Sequence, residues 1–427
     1  MPGSHSHQHS AGEATAPIHI VSRARWVLLS ALAIAGAITL AGLVLLWPDH
    51  SPRPDDDAAA AFAAPGVTFP HAKVTAVQPA CKSSSQNEFG PSGDPNSYLG
   101  QGGDPSAAPT CGQISVQVQS GSDRGTKATI PVAPEVSRSG LSAGDSVQLM
   151  RTPPGKGAPT QLSYFSVERL TPIWILTALF VLVVGLVARL RGLLALVGLG
   201  FGGFILVKFM LPALLTGESG LGVALVGASA IMFVVLYLTH GVSLRTSTAL
   251  AGTLVGVLIT AFVGVVAVKS SRLTGISDEG GAILSTFVGD VSFQGLLTCA
   301  VIIAGLGVLN DVTITQSSAV WELRGAAPDL SRRSLFTSGM RIGRDHIAST
   351  IYTIVFAYAG AALSVLLLLF IYDRPILDLL STEDIAAEIT RTLASGIGLV
   401  LAVPITTAIA VAIVAARPPR PPRTSIL

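Results

Sequence analysis

Long apolar segments dominate the chain from Leu170 to Ala416, and they constrain its fold more than any other feature. A helix of about 20 apolar residues spans the roughly 30 Å hydrocarbon core of a bilayer. The segments predict eight transmembrane helices. These lie near Trp26–Trp47, Pro172–Ala188, Leu193–Leu211, Leu221–Thr239, Ala249–Val268, Gly295–Ile314, Ile347–Tyr372 and Leu393–Ala416.

The charge content supports a membrane protein and excludes three other classes. Only 12% of the residues are charged, whereas a typical soluble domain has about 25%. A disordered chain would be poor in apolar residues, but half of this chain is hydrophobic. The net charge of +2 and the absence of long Lys/Arg runs argue against nucleic acid as a partner.

The N-terminal part precedes the apolar region and has two segments. Residues 1–25 are predicted to be a disordered cytoplasmic tail, although His5, His7 and His9 leave a metal-binding tail as an alternative. Residues 26–47 are predicted to be a transmembrane anchor. A cleaved signal peptide is disfavoured, since the apolar run is long and ends in WPDH rather than in small residues.

Residues 48–169 are predicted to form a linker followed by a small β-barrel or β-sandwich domain. Apolar and polar residues alternate with the period of two that a half-buried strand requires, as in QISVQVQ. Clusters of Gly, Pro, Ser and Asp separate the segments. The predicted strands are Lys73–Val77, Gln113–Val118, Lys127–Val132, Asp145–Met150 and Leu162–Val167.

The distribution of charge over the loops predicts the orientation. Cytoplasmic loops of membrane proteins are rich in Lys and Arg. With the N-terminus inside, the inside segments carry Arg189, Arg191, Arg245, Arg324, Arg332, Arg333, Arg341, Arg344, Arg417, Arg420 and Arg423. The outside loops are predominantly acidic. Both termini, including the tail 417–427, are therefore predicted to be cytoplasmic and the β domain extracytoplasmic, where a Cys81–Cys111 disulfide is chemically allowed.

Two adjacent motifs resemble a known family. The first is GVLNDVTITQSSAVWEL, residues 307–323, and the second is LFTSGMRIGRDHIASTIYTIVFAYAGAAL, residues 335–363. In order and spacing they are similar to the YibE/F family of bacterial membrane proteins. The resemblance covers roughly residues 160–372, and 170–416 is assigned as the YibE/F-like seven-helix region. It implies a multi-pass inner-membrane protein for which a permease role is one suggestion.

Asp311 is the strongest candidate for a functional residue. A carboxylate within hydrocarbon costs about 2.5–3.5 kcal/mol on insertion scales, so it requires a partner, water or an ion. Asp311, Thr315, Ser318 and Glu322 recur at i, i+4, i+7 and i+11, which places them on one helix face. That face is predicted to line an ion or proton path. The alternative is a polar lock between helices.

A second polar cluster follows at the start of the next long helix. Arg341 and Asp345 are spaced to pair at i, i+4, and Arg344 is expected to reach Asp311 or Glu322 as a charge partner. Histidine side chains can relay protons near neutral pH, and His346 is predicted to do so. The alternative is an ordinary helix start with a surface histidine.

These patterns lead to two hypotheses of function. The first is an ion- or proton-coupled transporter or permease, whose partners are the lipid bilayer and an unidentified small ion or solute. The second is a non-transporting scaffold or sensor whose outside β domain binds a partner. No enzyme motif is present, so we expect no enzymatic activity, no metal and no cofactor. The sequence leaves the oligomeric state open.

Overall fold

The computed structural model describes residues 20–48, 66–79, 112–154, 160–277, 279–288, 291–371 and 375–414. The histidine-bearing tail, Cys81, Cys111 and the arginine-rich C-terminus lie outside these ranges, as does the proposed disulfide. The chain divides into two compact units, residues 55–182 and residues 1–54 together with 183–427.

The described residues form five strands and a series of helices. In chain order the elements are α1 (Ser22–Leu45), β1 (His71–Gln78), β2 (Gln113–Val118), β3 (Lys127–Pro131), α2 (Pro134–Arg138), β4 (Ser146–Thr152), β5 (Gln161–Val167), α3 (Leu170–Ile205), a π-helical turn (Leu206–Met210), α4 (Leu211–Leu215), α5 (Gly220–His240), α6 (Leu244–Ser270), α7 (Glu279–Phe287), α8 (Phe293–Ala326), α9 (Arg332–Ala361), α10 (Leu363–Ile371), α11 (Ile376–Leu380) and α12 (Glu383–Ile413).

The β unit is one antiparallel sheet in the order β3-β2-β1-β4-β5, which confirms the predicted small β domain. Its alternating residues point inward and form a closed apolar core that includes Val74, Ile114, Val116 and Leu149. The edge strands β3 and β5 approach each other, so the sheet curls toward a barrel. With α2 between β3 and β4, this topology is that of an OB-fold barrel.

Among the residues that the structure describes, six helices are long and apolar enough to cross a membrane. The number is seven if α9 and α10, bent by 71° relative to each other, form one span. The sequence predicts eight because it divides residues 170–215 into two spans, whereas this stretch is counted once in the structure. Arg189 interrupts its helical geometry, with φ 53° and ψ −140°.

Serine side chains define where four of these helices begin. Ser219, Ser243, Ser292 and Ser331 each accept a hydrogen bond from the backbone N–H three residues later, at the starts of α5, α6, α8 and α9. Such N-caps satisfy backbone donors that the first helical turn leaves unpaired. The chain therefore specifies these helix starts locally, through residues that lie outside the apolar segments.

Helices α6, α8 and α12 form the centre of the helical unit, and α5 and α9 also pack against α8. Large apolar residues from all three central helices are fully buried there, among them Leu250, Ile302, Leu309 and Leu399. Most surfaces of α3 are exposed and apolar, as expected of a lipid-facing helix.

Candidate functional site

One side of α8 is not covered by any other described part of the chain, and it carries the predicted polar face. We call Gly307, Asp311, Thr315, Ser318 and Glu322 the open stripe. Asp311, Glu322 and Gly307 are exposed, while Thr315 and Ser318 are half-buried. A Cβ atom built on Gly307 would meet no atom within 4 Å. The structure thus brings the four predicted residues to a single face of α8.

The two carboxylates of the open stripe have different surroundings. The Asp311 carboxylate makes no hydrogen bond or ion pair with any other residue in the described ranges, although Thr315 Oγ1 donates to the Asp311 backbone carbonyl at 2.8 Å. Glu322 Oε1 lies 3.9 Å from Arg245 Nη1. Arg245 lies at the start of α6, and among the described residues Arg344, the predicted charge partner, forms no ion pair with Glu322 or Asp311.

The second cluster lies on α9 at about the level of Asp311. Gln316 Nε2 donates to the Gly339 carbonyl at 2.8 Å, which aligns the antiparallel helices α8 and α9. Gly343 also lies against Gln316. From Gln316, five residues toward the N-terminus of α8, about 7.5 Å at 1.5 Å per residue, lead to Asp311, and the same distance along α9 from Gly339 leads to Arg344.

The polar side chains of this α9 cluster are not paired with one another. Arg341, Arg344 and Asp345 are exposed, and His346 is half-buried. Within the part of the chain that the structure describes, Arg341 and Asp345 do not form the ion pair that their i, i+4 spacing predicts. The exposed charges therefore remain available to solvent, lipid headgroups or another partner.

The opposite side of α8, which we call the packed side, carries Thr313, Gln316 and Ser317. Thr313 and Thr253 share a hydrogen bond of 2.6 Å between their hydroxyls. Gln316 Nε2 also donates to Thr407 Oγ1 at 2.7 Å, and Ser317 Oγ donates to the Arg245 carbonyl at 2.8 Å. All three side chains are buried, so these bonds connect α8 to α6, α9 and α12 in an apolar interior.

Gln316 is a residue that the sequence analysis missed. It falls outside the i, i+4, i+7, i+11 series that begins at Asp311, and it lies on the opposite face of the helix. Helical spacing could have identified it, because Thr313, Gln316 and Val320 form a second series, of buried positions, on the same helix.

Glycines allow the three central helices to approach closely. A Cβ atom on Gly252 would lie 1.9 Å from Thr406 Oγ1, and one on Gly398 would lie 1.9 Å from Thr260 Oγ1. Both hydroxyl oxygens are buried without a conventional hydrogen bond inside the described ranges. They lie instead against glycine Cα atoms, an arrangement in which weak Cα–H···O contacts are common between helices.

A bundle of membrane-length apolar helices combined with a small β domain is the architecture of polytopic membrane proteins. The model of the YibE/F-like protein family matches residues 176–416, more than half of the chain, so the chain belongs to this family. The match includes α8 and α9 and confirms the resemblance seen in the two motifs. No curated protein and no solved structure matches the chain.

Proposed function

We propose that this protein is an ion- or proton-coupled transporter whose path follows the open stripe of α8. The observation that carries the proposal is the exposed Asp311 carboxylate without a partner in the described ranges, on a helix of membrane-spanning length. A lipid-facing carboxylate at that position would be costly, so the stripe faces water, an ion or another protein surface.

The composition of the same side of α8 supports this proposal. The residues in line with Asp311 along α8 are small or polar, namely Ala300, Ala304, Gly307, Asp311, Thr315, Ser318 and Glu322, and the half-buried Ile303 and Val308 border them. Other exposed helix surfaces, such as those of α3, are rich in Leu, Val and Phe. Oxygen-bearing side chains suit protons and hard cations. His346 and Asp345 of α9 would extend the path at the level of Asp311, and Arg341 and Arg344 would tune its charge.

The proposal includes a topology. Both termini are cytoplasmic, the β unit is extracytoplasmic, and residues 170–215 cross the bilayer twice, with the interruption at Arg189 on the cytoplasmic side, which gives eight spans. The Arg-rich segments support this orientation through the positive-inside rule. Cysteines introduced at Gln117 and at Arg189 test it, because a membrane-impermeant thiol reagent should label only the first in intact cells.

A flux measurement tests the transport proposal. Purified protein in proteoliposomes, driven by a gradient of H⁺, Na⁺ or K⁺, should show flux that Asp311→Asn abolishes. Glu218→Gln is the matched control, since it neutralises an exposed carboxylate in the connection between α4 and α5. Equal flux through the wild type and Asp311→Asn would refute the proposed role of the stripe.

A second candidate is a non-enzymatic scaffold or sensor whose β unit binds a partner. It is favoured by the outer face of β2 and β3, where Gln113, Ser115, Gln117, Lys127 and Thr129 are polar and at least partly exposed. In OB-fold barrels this face is a frequent ligand surface. A photo-crosslinker at Gln117 of the full chain should then capture one defined partner, while proteoliposomes show no flux for any of the three ions.

A further inference from the structure

Three cationic side chains from different helices gather at one end of the helical unit. Arg191 is on α3, His240 is the last residue of α5, and Arg245 is the second residue of α6. The charges of Arg191 and Arg245 both act on the His240 imidazole, so both lie within electrostatic range of it. Arg191 and His240 are exposed, and Arg245 is half-buried. We call these three residues the cationic cluster.

The packing of α3 against α5 explains the position of Arg191. A Cβ atom on Gly198 would lie 3.4 Å from Val235, and Gly202, further along α3, faces an earlier residue of α5, so the two helices are antiparallel. Seven residues from this contact, the same register brings Arg191 level with the turn that follows His240. Because seven residues make about two helical turns, Arg191 and Gly198 share the face of α3 that points toward α5.

Hydrogen bonds hold the start of α6 beside α5 and α8. The hydroxyl oxygens of Tyr237 and Ser247 lie 3.0 Å apart, which joins α5 to α6. Ser317 Oγ of α8 donates to the Arg245 carbonyl at 2.8 Å. The backbone that carries Arg245 is thus fixed by contacts inside the helical unit, and only side chains need to adjust to a ligand.

Acidic side chains do not balance the charge of the cationic cluster. Glu322 Oε1 lies 3.9 Å from Arg245 Nη1, which is beyond hydrogen-bond range, and 82% of the Glu322 side chain is exposed. Arg191 and His240 form no ion pair with any residue in the described ranges. Two permanently charged guanidinium groups therefore face a single, loosely associated carboxylate, which favours an anionic ligand.

The cationic cluster lies at the depth of phospholipid headgroups. Helix α5 has 21 residues, about 31 Å at 1.5 Å per residue, which equals the hydrocarbon thickness of a bilayer. Its last residue, His240, is therefore expected at the membrane boundary. Exposed apolar side chains adjoin the charges, since Leu190 precedes Arg191 and Val242 in the turn after α5 is 87% exposed. A ligand with both a phosphate and acyl chains matches this combination, whereas a free phosphate ion would use only the charges.

We propose that the cationic cluster binds the phosphate group of an anionic phospholipid, whose acyl chains lie along the exposed apolar surface of α3. The guanidinium groups of Arg191 and Arg245 donate to the phosphate oxygens through charge-assisted hydrogen bonds, and the His240 ring donates another. Basic sites between transmembrane helices bind anionic headgroups by the same chemistry. The proposal does not depend on transport, because lipid binding requires no ion flux.

Photo-crosslinking tests the position of the site while the cationic cluster is intact. The full-length protein carries benzoylphenylalanine at Val242 and is reconstituted in vesicles of equal phosphatidylglycerol and phosphatidylethanolamine. Adducts with phosphatidylglycerol should exceed the others at least fivefold, the factor that corresponds to about 1 kcal/mol from one arginine near the membrane surface.

The control position is Phe262, an exposed residue further along α6. Benzoylphenylalanine at Phe262 should form adducts in proportion to the lipids present. Equal adducts of the two lipids at Val242 would overturn the proposal. The same excess of phosphatidylglycerol at Phe262 would also overturn it, because the preference would then not belong to this end of the helices.

Removal of single charges tests the residues. In native mass spectrometry of protein from the same vesicles, the wild type should retain phosphatidylglycerol in excess, and Arg191→Gln and Arg245→Gln should each lower this excess about fivefold. Arg333→Gln removes the same charge from an exposed position at the start of α9 and should leave the excess unchanged. An equal loss in Arg333→Gln would mean that only the net charge attracts the lipid, and would overturn the assignment, as would an undiminished excess in both cluster variants.

Inorganic phosphate distinguishes a lipid from a soluble phosphate compound. Added at millimolar concentration and constant ionic strength, it should leave the phosphatidylglycerol adducts at Val242 unchanged, because it has no acyl chains to hold it at the membrane boundary. Loss of these adducts would assign the site to a soluble phosphate and would overturn the proposed lipid ligand.

Discussion

The two sides of α8 are made of similar polar residues but have opposite surroundings. On the packed side, Thr313, Gln316 and Ser317 are buried, and each makes at least one hydrogen bond to a neighbouring helix. On the open stripe, Asp311 is exposed and unpaired within the described ranges, and Glu322 has only a long ion pair with Arg245. Neutral groups therefore connect the helices, while charged groups are left free.

This difference separates two roles that the sequence places on one helix. Neutral hydroxyls and amides can be buried at moderate cost when they are paired, whereas an unpaired carboxylate resists burial. The interhelical lock, which was the alternative interpretation of the Asp311 face, corresponds to the packed side in the structure. The open stripe is the part of α8 on which the proposed transport role depends.

Adding a side chain to a glycine in the buried centre of the bundle and to one on the open stripe should give the largest contrast. Gly252→Leu on α6 inserts atoms where even a Cβ would lie 1.9 Å from Thr406 Oγ1, so the central helices must separate. Overpacking of this kind costs about 3 kcal/mol or more. We expect loss of monodisperse protein in detergent, measured by size-exclusion chromatography and thermal unfolding.

Gly307→Leu is the matched change on the open stripe, where an added Cβ meets nothing within 4 Å. It should preserve the yield and the melting temperature, and leucine should even favour the helix by roughly 0.5–1 kcal/mol. If Gly307→Leu lowered the yield and the melting temperature as much as Gly252→Leu, the stripe would be covered by other residues. The contrast between the two positions would then be refuted.

The next largest effect is expected at Gln316. Gln316→Leu removes the donor to the Gly339 carbonyl and to Thr407 Oγ1, which are both buried in the contact between α8, α9 and α12. The loss should be about 1–3 kcal/mol in the free energy of unfolding, because the Gly339 and Thr407 groups remain buried without this partner. The measurement is chemical unfolding in mixed micelles.

The control for Gln316 is Ser318→Ala, two residues further along α8 on the open stripe. Ser318 makes no side-chain hydrogen bond with another residue in the described ranges, so its removal should leave stability within about 0.5 kcal/mol of the wild type. If both variants unfold alike, burial and pairing do not distinguish the two sides.

Local patterns in the sequence predicted much of the fold. Strand β2 was predicted with its observed bounds, Gln113–Val118, because a half-buried strand displays its period of two directly. The other four strands were placed within a few residues. The number of membrane spans was harder to predict. Hydropathy does not decide whether residues 170–215 cross the membrane once or, with a break at Arg189, twice.

The candidate site was predictable only within one helix. The spacing from Asp311 to Glu322 follows from helix geometry, so the shared face could be predicted. The pairing of Glu322 with Arg245 and of Gln316 with Gly339 depends on which helices are neighbours and at what height. The helices approach closely at glycines such as Gly252 and Gly398, and this approach sets those contacts. A single sequence does not tell which residue of a neighbouring helix lies opposite each glycine.

A smaller effect is expected for the hydroxyl pair that joins α6 and α8. A double-mutant cycle of Thr253→Val and Thr313→Val measures the coupling between these two residues, whose hydroxyl oxygens lie 2.6 Å apart. Hydrogen bonds between transmembrane helices couple by about 0.6 kcal/mol on average and by about 1.7 kcal/mol at most. A coupling of zero would mean that each hydroxyl finds another acceptor, such as the helical carbonyl four residues earlier.

The smallest effect on stability is expected for the residue most important to the proposed function. Asp311→Asn should change the free energy of unfolding by less than about 0.5 kcal/mol, since no described residue depends on the carboxylate. The same variant should abolish ion flux, so stability and transport would separate at this position. A loss of 2 kcal/mol or more would identify Asp311 as part of a structural contact. The distinction between the two sides of α8 would then no longer hold.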